Sequence, residues 1–439
     1  MELGGCGKSL SIDSKIAVLL LLLTSILSIE QILAVESILL LVCIIKKKLK
    51  LRSSFLLLLV MLCLHGCINI ITGDDTFDLM IKQLLGIGLS FVYFDTATHD
   101  ADKYVLFDFY LKIALIMSLL VIVQQLAFIL RIEKIYDLSW LFKRQLFAKT
   151  MEGNLRASGF FAEPAACATA MTPAMYIAII DLIRKNTTCY KYHEAVLVLL
   201  GYILTYSSVG YISIGIALIL LATEYKINHK AWLAIGIMVL VIIALYTKIP
   251  SFRIRVDDTL KIIQNGTIGN ENLSSVTITA NQKVAYKTFL ESHGFGTGIG
   301  SYRIDYDKFI NQVVNSSFLT LRLNREDANS LFLRITAELG ILGILAIVVF
   351  LIKYRVKENF TPEKSMSNAL LLYILTRLLR SGHYFHNSLY FFVIMYMEVY
   401  YLSKRKTKNE LQTVQLPETT NVAAENMTIS HDSIERLRT

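Results

Sequence analysis

Arg156, Arg303, Arg377 and Arg380 come from separated stretches of one chain, and together they specify a chemistry. A guanidinium offers a planar fork of donors that matches phosphate oxygens. A group of them at a membrane–water boundary suits a doubly charged diphosphate held at headgroup depth, its lipid tail in the bilayer. Arg156 and Glu163 share the segment RASGFFAEPAA. The Glu163 carboxylate is a candidate to accept a proton from a sugar hydroxyl. Alternatively the two form an ion pair at a helix entrance, where Pro164 fits the first turn. Arg377 and Arg380 are three residues apart on one helical face, with His383 just beyond. Snorkelling to headgroups explains one such arginine more easily than a cluster.

The segment GFGTGIGSYR (294–303) alternates Gly294, Gly296, Gly298 and Gly300 and ends on Arg303. Glycines admit positive φ and let backbone amides approach a ligand. A phosphate cradle and a plain glycine-rich turn both fit. No Lys-Ser/Thr follows and no strand precedes, so this is not a Walker motif. His293, just before it, is an acid–base candidate or a solvated loop histidine. Downstream, Asp327 and Asn329 are expected to cap a helix. Arg334 and Glu338, spaced i and i+4, are read as a structural pair that orients that helix. His65 reads as a packed polar residue.

The elements that must carry these side chains are apolar. Of 439 residues, 54% are hydrophobic, with a mean hydropathy of +0.52. Crossing about 30 Å of hydrocarbon takes roughly 20 helical residues. Expected spans are 14–29, 31–45, 54–72, 78–94, 104–130, 163–182, 194–207, 210–224, 231–247, 329–352, 366–382 and 384–402. The fold class is therefore an all-α, polytopic membrane protein of about 12 transmembrane helices. The five prolines and the lack of short alternating segments argue against a barrel. The first apolar run lacks a small-residue cleavage site and is not read as a signal peptide. The expected organisation is nine spans over 1–246, a large periplasmic loop over 247–328, three spans over 329–402, and a disordered cytoplasmic tail over 403–439. Within the loop, 281–292 reads as a short amphipathic helix with Val284, Tyr286, Phe289 and Leu290 on its apolar face.

The net charge of +9 follows topology, not nucleic-acid binding. Lys46, Lys47, Lys48, Lys50 and Arg52, Arg184, Lys185 and Lys191, Lys226 and Lys230, Lys353, Arg355 and Lys357, and Lys404, Arg405, Lys406 and Lys408 fall on one face. By the positive-inside rule that face is cytoplasmic and holds both termini. The opposite face carries Asp74–Asp75 and the long loop. Two segments depart from the rule. The inner 95–103 turn is slightly acidic. The outer 131–156 loop is basic, through Arg131, Lys134, Lys143, Arg144, Lys149 and Arg156, which again suggests an anionic ligand. The six cysteines make neither a disulfide framework nor a zinc spacing. No internal repeat is visible, direct or inverted. With no nucleotide site, metal cluster or cytoplasmic domain visible in the sequence, energy for a synthesis would have to come from the substrate, and a polyprenyl-diphosphate sugar carries it.

The chain resembles the O-antigen polymerase/ligase family, which includes repeat-unit polymerases of O-antigen, capsule and exopolysaccharide. RASGFFAEP, LTYSSVGYISI (204–214), GFGTGIGSYR and NSLFLRITAELGILG (329–343) occur in order, with many spans and a late large loop, and the likeness covers about 140–350. The resemblance implies a metal-independent glycosyltransferase without cofactor. Its substrate would be undecaprenyl-diphosphate-linked oligosaccharide at the periplasmic face of a bacterial inner membrane, with membrane lipids around it. A flippase and a chain-length regulator are the further partners implied. Loop arginines would bind the diphosphate, matched here by Arg156 and Arg303. Ligases of the family carry a histidine just before the asparagine that opens the span after the loop; here that position is Ala328. The departure favours a polymerase over a ligase and leaves Glu163, His293 or substrate-assisted transfer to handle the proton. A transporter or flippase of the same glycan would instead call for inverted repeats and charges along a midplane path.

Overall fold

Where water is absent, each backbone N–H and C=O must find its partner within the segment, and an apolar run closes into a helix. The computed structural model describes residues 9–23, 27–46, 48–140, 149–151, 153–184, 189–224, 273–314, 321–359, 361–385 and 389–414, with scattered positions between 236 and 257. The span expected at 231–247 lies largely outside them, as do 258–272 of the loop and 415–439 of the tail.

The first helices are α1 (Ile12–Leu23), α2 (Ile29–Ile45), α3 (Ser53–Thr72), α4 (Phe77–Thr98), α5 (Lys103–Ile129) and the short α6 (Glu133–Tyr136). A two-stranded hairpin follows, β1 (Lys149–Met151) antiparallel to β2 (Asn154–Arg156), with Lys149 opposite Arg156. Next come α7 (Pro164–Arg184), α8 (Tyr192–Ile203) and α9 (Ser208–Glu224). The described part of the loop holds α10 (Leu273–Glu291) and α11 (Tyr302–Phe309). The chain closes with α12 (Leu331–Glu338), α13 (Gly340–Lys353), α14 (Pro362–Leu379) and α15 (Leu389–Val414).

Local signals set the boundaries. Ser28 and Gln31 form a reciprocal capping box at the start of α2. Asp102 accepts from the amides of Tyr104 and Val105 to open α5. Thr361 caps α14 ahead of Pro362, whose missing N–H costs nothing at that position. Among the described residues, four helices are long and apolar enough to cross a membrane: Ser53–Thr72, Phe77–Thr98, Lys103–Ile129 and Pro164–Ile183. The others are short, as in the 12 residues of α1 and of α8, or carry polar groups, as α14 does with Glu363, Lys364, Ser365, Ser367 and Asn368, all buried.

α14 is the central post, packed against α7, α9, α12 and α15. Around it α5 and α8 pair, α4 lies on α1, α2, α3 and α15, and one continuous apolar cluster fills the interior. α10, α11 and α12 form a separate small core from Val276, Ala280, Val284 and Ala285, from Tyr302, Tyr306 and Phe309, and from Ala337 of α12.

Three sequence expectations are revised. The loop helix begins at Leu273, and its inward face is Val276, Ala280, Val284 and Ala285, while Tyr286 and Leu290 are exposed. The expected span 329–352 is two helices, broken at Leu339–Gly340, where the Gly294 carbonyl takes the Ile341 amide at 2.8 Å. The last helix runs to Val414, past the expected boundary at 402.

Basic and acidic groups gather at the bundle end formed by the α2–α3 and α4–α5 connections. Arg52 donates to both Asp95 oxygens at 2.6–2.9 Å and to Glu398 at 2.5 Å. Lys46 and Lys48 pair with Asp13 at 2.8 and 3.2 Å. The acidic character of the 95–103 turn thus has a reason: Asp95 neutralises the arginine that opens the neighbouring helix pair.

Candidate functional site

The other end of the bundle assembles the arginines. α5 contributes a platform of two adjacent amide side chains. Gln125 donates to the carbonyls of Leu155 (2.6 Å) and Leu204 (2.9 Å). Gln124 donates to the Gly159 carbonyl at 3.3 Å and accepts from the Gly159 amide at 2.9 Å. Buried amides of this kind are costly unless fully used. Here they fix the hairpin and RASGFF against the end of α8. Arg156, on β2, is thereby aimed at the α8–α9 turn, where its Nε donates to the Tyr206 carbonyl at 3.4 Å. Burial pushes the Arg156 guanidinium below its ordinary range; Glu163 counters this, and the positive charge of Arg380 adds to it. Arg156, Glu163 and Arg380 therefore share one electrostatic neighbourhood. Glu163 is exposed at the mouth of α7, where its carbonyl accepts from the Cys167 amide at 3.1 Å.

Arg377 and Arg380 end α14. Arg377 is only 1% exposed and donates to the His383 carbonyl at 3.2 Å. Glu163 and Asp327 are the negative charges acting on Arg380, and Asp327 acts on Arg377 as well. Asp327 arrives from the end of the loop. Its Oδ2 accepts from the Gly382 amide at 3.3 Å and lies 3.6 Å from His383 Nε2. Burial lowers the His383 imidazole's affinity for a proton; Asp327 opposes that, and Arg334 and Arg377 reinforce it. His383 is thus held toward its neutral form.

Glu338 is the joint between loop and bundle. It accepts from Arg334 Nε (2.8 Å), the Tyr302 amide (3.2 Å) and the Tyr384 hydroxyl (2.8 Å). Arg334 also donates to the Gly382 carbonyl at 3.3 Å and lies over the Tyr384 ring at 4.7 Å. The pair is buried on both sides. Asp327 and Asn329 do not cap α12; Ser330 does, accepting from the Leu333 amide at 3.3 Å. Asn329 takes a positive φ of 59°, and its carbonyl receives the Ser381 amide at 2.9 Å.

The glycine segment is a clasp. The amides of Thr297 and Gly298 donate to the carbonyls of Ala337 (3.1 Å) and Glu338 (2.9 Å), and Gly296 donates to Ser292 Oγ at 3.0 Å. These donors are therefore engaged and do not cradle phosphate. A Cβ at Gly296 would meet the Glu338 carbonyl at 2.5 Å, and one at Gly298 would meet Asp75 Oδ2 at 2.6 Å. His65 of α3 reaches the Phe295 carbonyl at 3.0 Å, tying the clasp to the bundle. Three carboxyls surround it. Burial, with Glu338 nearby, pushes both Asp75 and Asp305 up to about 7. Thr297 Oγ1 donates to Asp305 at 2.6 Å.

The structure thus brings Arg156, Glu163, Arg377 and Arg380 to one bundle end, together with Asp327 and His383. It does not bring Arg303 or His293 into that group. Arg303 is exposed, with its Nε 3.7 Å from Glu326. His293 is exposed, at φ 52°, in the turn after α10. Sequence reading had Asp327 only as a cap and passed over Gln124 and Gln125. Two adjacent amides inside an apolar run were the available signal. Among the described residues no group of three or more His, Cys, Asp or Glu is placed to hold a metal ion.

Residues 195–348 match the family model described as O-antigen ligase. The matched range runs from α8 through the loop helices into α13 and includes Tyr206, the glycine clasp, Asp327, Arg334 and Glu338. Arg156, Glu163, Arg377 and Arg380 lie outside it. No curated protein matches the chain.

Proposed function

On the premise that this match supports an O-antigen polymerase/ligase family, we propose a polymerase that joins lipid-linked oligosaccharide repeat units. The terminal hydroxyl of one unit attacks the anomeric carbon of the growing glycan on another carrier. The anomeric C–O bond to polyprenyl diphosphate breaks, and the diphosphate leaves with the bonding pair. The reading is carried by one observation: Arg156, Glu163, Arg380 and Asp327, from three distant stretches, share one charged site at a bundle end. Arg156 and Arg380 stabilise the leaving diphosphate electrostatically. Arg377, fully buried on the His383 carbonyl, positions that turn. The candidates to receive the hydroxyl proton are Glu163, exposed at the mouth of α7, and His383, biased toward its neutral form beside Asp327. His293 has no comparable setting.

The bundle end that carries the site is assigned to the periplasmic side of the inner membrane, with the Arg52–Asp95–Glu398 end cytoplasmic. About 12 spans complete that topology by the positive-inside rule. Purified protein supplied with lipid-linked repeat units should form ladders of polymer. Arg156→Ala and Arg380→Ala should each lower kcat by about 10²–10³. Full rate and chain length in both variants would overturn the mechanism.

The description of the matched family model favours a second reading, transfer of finished glycan to a lipid A core or another acceptor. A deletion strain separates the two. Loss of a polymerase leaves single-unit products, whereas loss of a ligase leaves long polymer on its lipid carrier.

A further inference from the structure

An apolar groove adjoins Arg156 and is used by nothing above. It occupies about 610 Å³ between the C-terminal halves of α5 and α8, beside the hairpin. Leu126, Phe128 and Ile129 line one wall, Leu200 and Leu204 the other, and Leu155 of β2 faces them. Of its polar lining, Gln125 spends its amide on the Leu155 and Leu204 carbonyls, while Arg131, Tyr136 and Tyr206 also border the groove. The facing leucines, with Phe128 and Ile129, make an apolar stretch within it. The volume falls in the roughly 300–1,000 Å³ range of small-molecule sites.

The two ends of the groove differ. Toward the bundle surface it opens past Leu126, Ile129 and Leu200, which are 55%, 73% and 43% exposed on helices read as membrane spans. A chain lying in surrounding hydrocarbon can enter there without crossing water. Tyr206 also lines the groove, and its carbonyl holds Arg156 Nε at 3.4 Å. Arg131 stands on the rim. The groove thus leads from lipid to cationic side chains.

We propose that this groove binds the isoprenoid chain of a lipid-linked diphosphate whose head lies at Arg156, so that the substrate enters sideways between α5 and α8 under the hairpin. The proposal rests on the reading of Arg156 as a diphosphate ligand and adds the location of the tail. The occupant is a polyprenyl diphosphate, not a bilayer phospholipid. Arg131, Arg156, Arg377 and Arg380, set against Glu163 and Asp327, leave more positive charge than a singly charged phosphodiester needs, and the head of a diphosphate balances it.

The test uses the full chain in phosphatidylcholine nanodiscs. Affinities are measured for inorganic pyrophosphate, geranyl diphosphate and undecaprenyl diphosphate. Wild-type protein should bind more tightly as the chain lengthens, since burial of each methylene adds to affinity. Leu126→Trp and Leu200→Trp, which fill the groove, should lose about tenfold in undecaprenyl diphosphate affinity and keep pyrophosphate affinity within about twofold. Ile219→Trp, at an exposed α9 position outside the groove, should change neither. A diazirine near the head end of the undecaprenyl chain should label α5 and α8 in wild-type protein, which tests the site even if the tryptophan variants misfold. Retention of the full chain-length effect in both variants, labelling elsewhere, or equal displacement by phosphatidylglycerol overturns the groove and leaves the arginine site standing. Failure of wild-type protein to bind any diphosphate overturns both.

Discussion

Glu338 is the residue on which the loop and the bundle both depend. Its carboxylate holds Arg334, the Tyr302 amide and the Tyr384 hydroxyl at once. Replacing a buried ion pair by apolar groups is often neutral, but removing one partner strands a charge and costs about 3–5 kcal/mol. Glu338→Ala should therefore lower the thermal midpoint sharply in detergent, with Arg334 left unpaired. A midpoint within a degree of wild type would show that Arg334 finds another partner. At the site itself, His383→Gln should reduce turnover by about 10²–10⁴ and flatten the acid limb of the pH–rate profile if His383 takes the hydroxyl proton. Glu163→Gln should do so if Glu163 does. The variant that removes the limb identifies the base.

The glycine clasp is an element whose parts share one electrostatic condition. Asp75 and Asp305 are both pushed up to about 7 by burial, with Glu338 adding negative charge. A carboxyl whose proton affinity is raised by folding contributes stability that is full below the unfolded range, near 4, and is lost as pH rises through the folded value. The clasp should therefore be tightest in mild acid and weaken from about pH 4 to 7. Amide hydrogen exchange at Gly298 and Ile299 should report it as faster intrinsic-corrected opening at pH 7 than at pH 5. Asp75→Asn should remove part of that slope; an unchanged slope in Asp75→Asn and Asp305→Asn would rule these groups out. Gly298→Ala should loosen the same element. Its φ of 104° strains any L side chain, and the new Cβ would press on Asp75. A cost of about 1–3 kcal/mol is expected from the backbone alone.

At the scale of the whole molecule, two differently charged ends face away from each other. One holds Arg52 between Asp95 and Glu398; the other holds Arg156, Arg377, Arg380 and Asp327. Single-cysteine labelling, in a background with the native cysteines replaced, tests their sidedness. If the proposed sidedness holds, Glu326→Cys should react with a membrane-impermeant maleimide added outside the membrane, and Lys404→Cys should react only after permeabilisation. Equal labelling of both from outside would reverse the topology reading.

Composition and periodicity by themselves determined that this chain is helical and apolar, because a helix satisfies its own backbone without help from distant residues. They also located the arginines, the alternating glycines and the i, i+4 pair Arg334–Glu338, whose spacing is local. Which arginines meet is not a local property. Arg156, Asp327 and Arg380 are far apart in the chain and converge only because α7 and α12 pack on α14. Arg303 looked equivalent from its neighbours, yet the clasp turns it outward toward Glu326. Likewise the glycines signalled a turn, but only tertiary contact revealed that Ala337, Glu338 and Asp75 occupy the space around it. Local backbone demands are written in neighbouring residues; the meeting of charges depends on how helices pack.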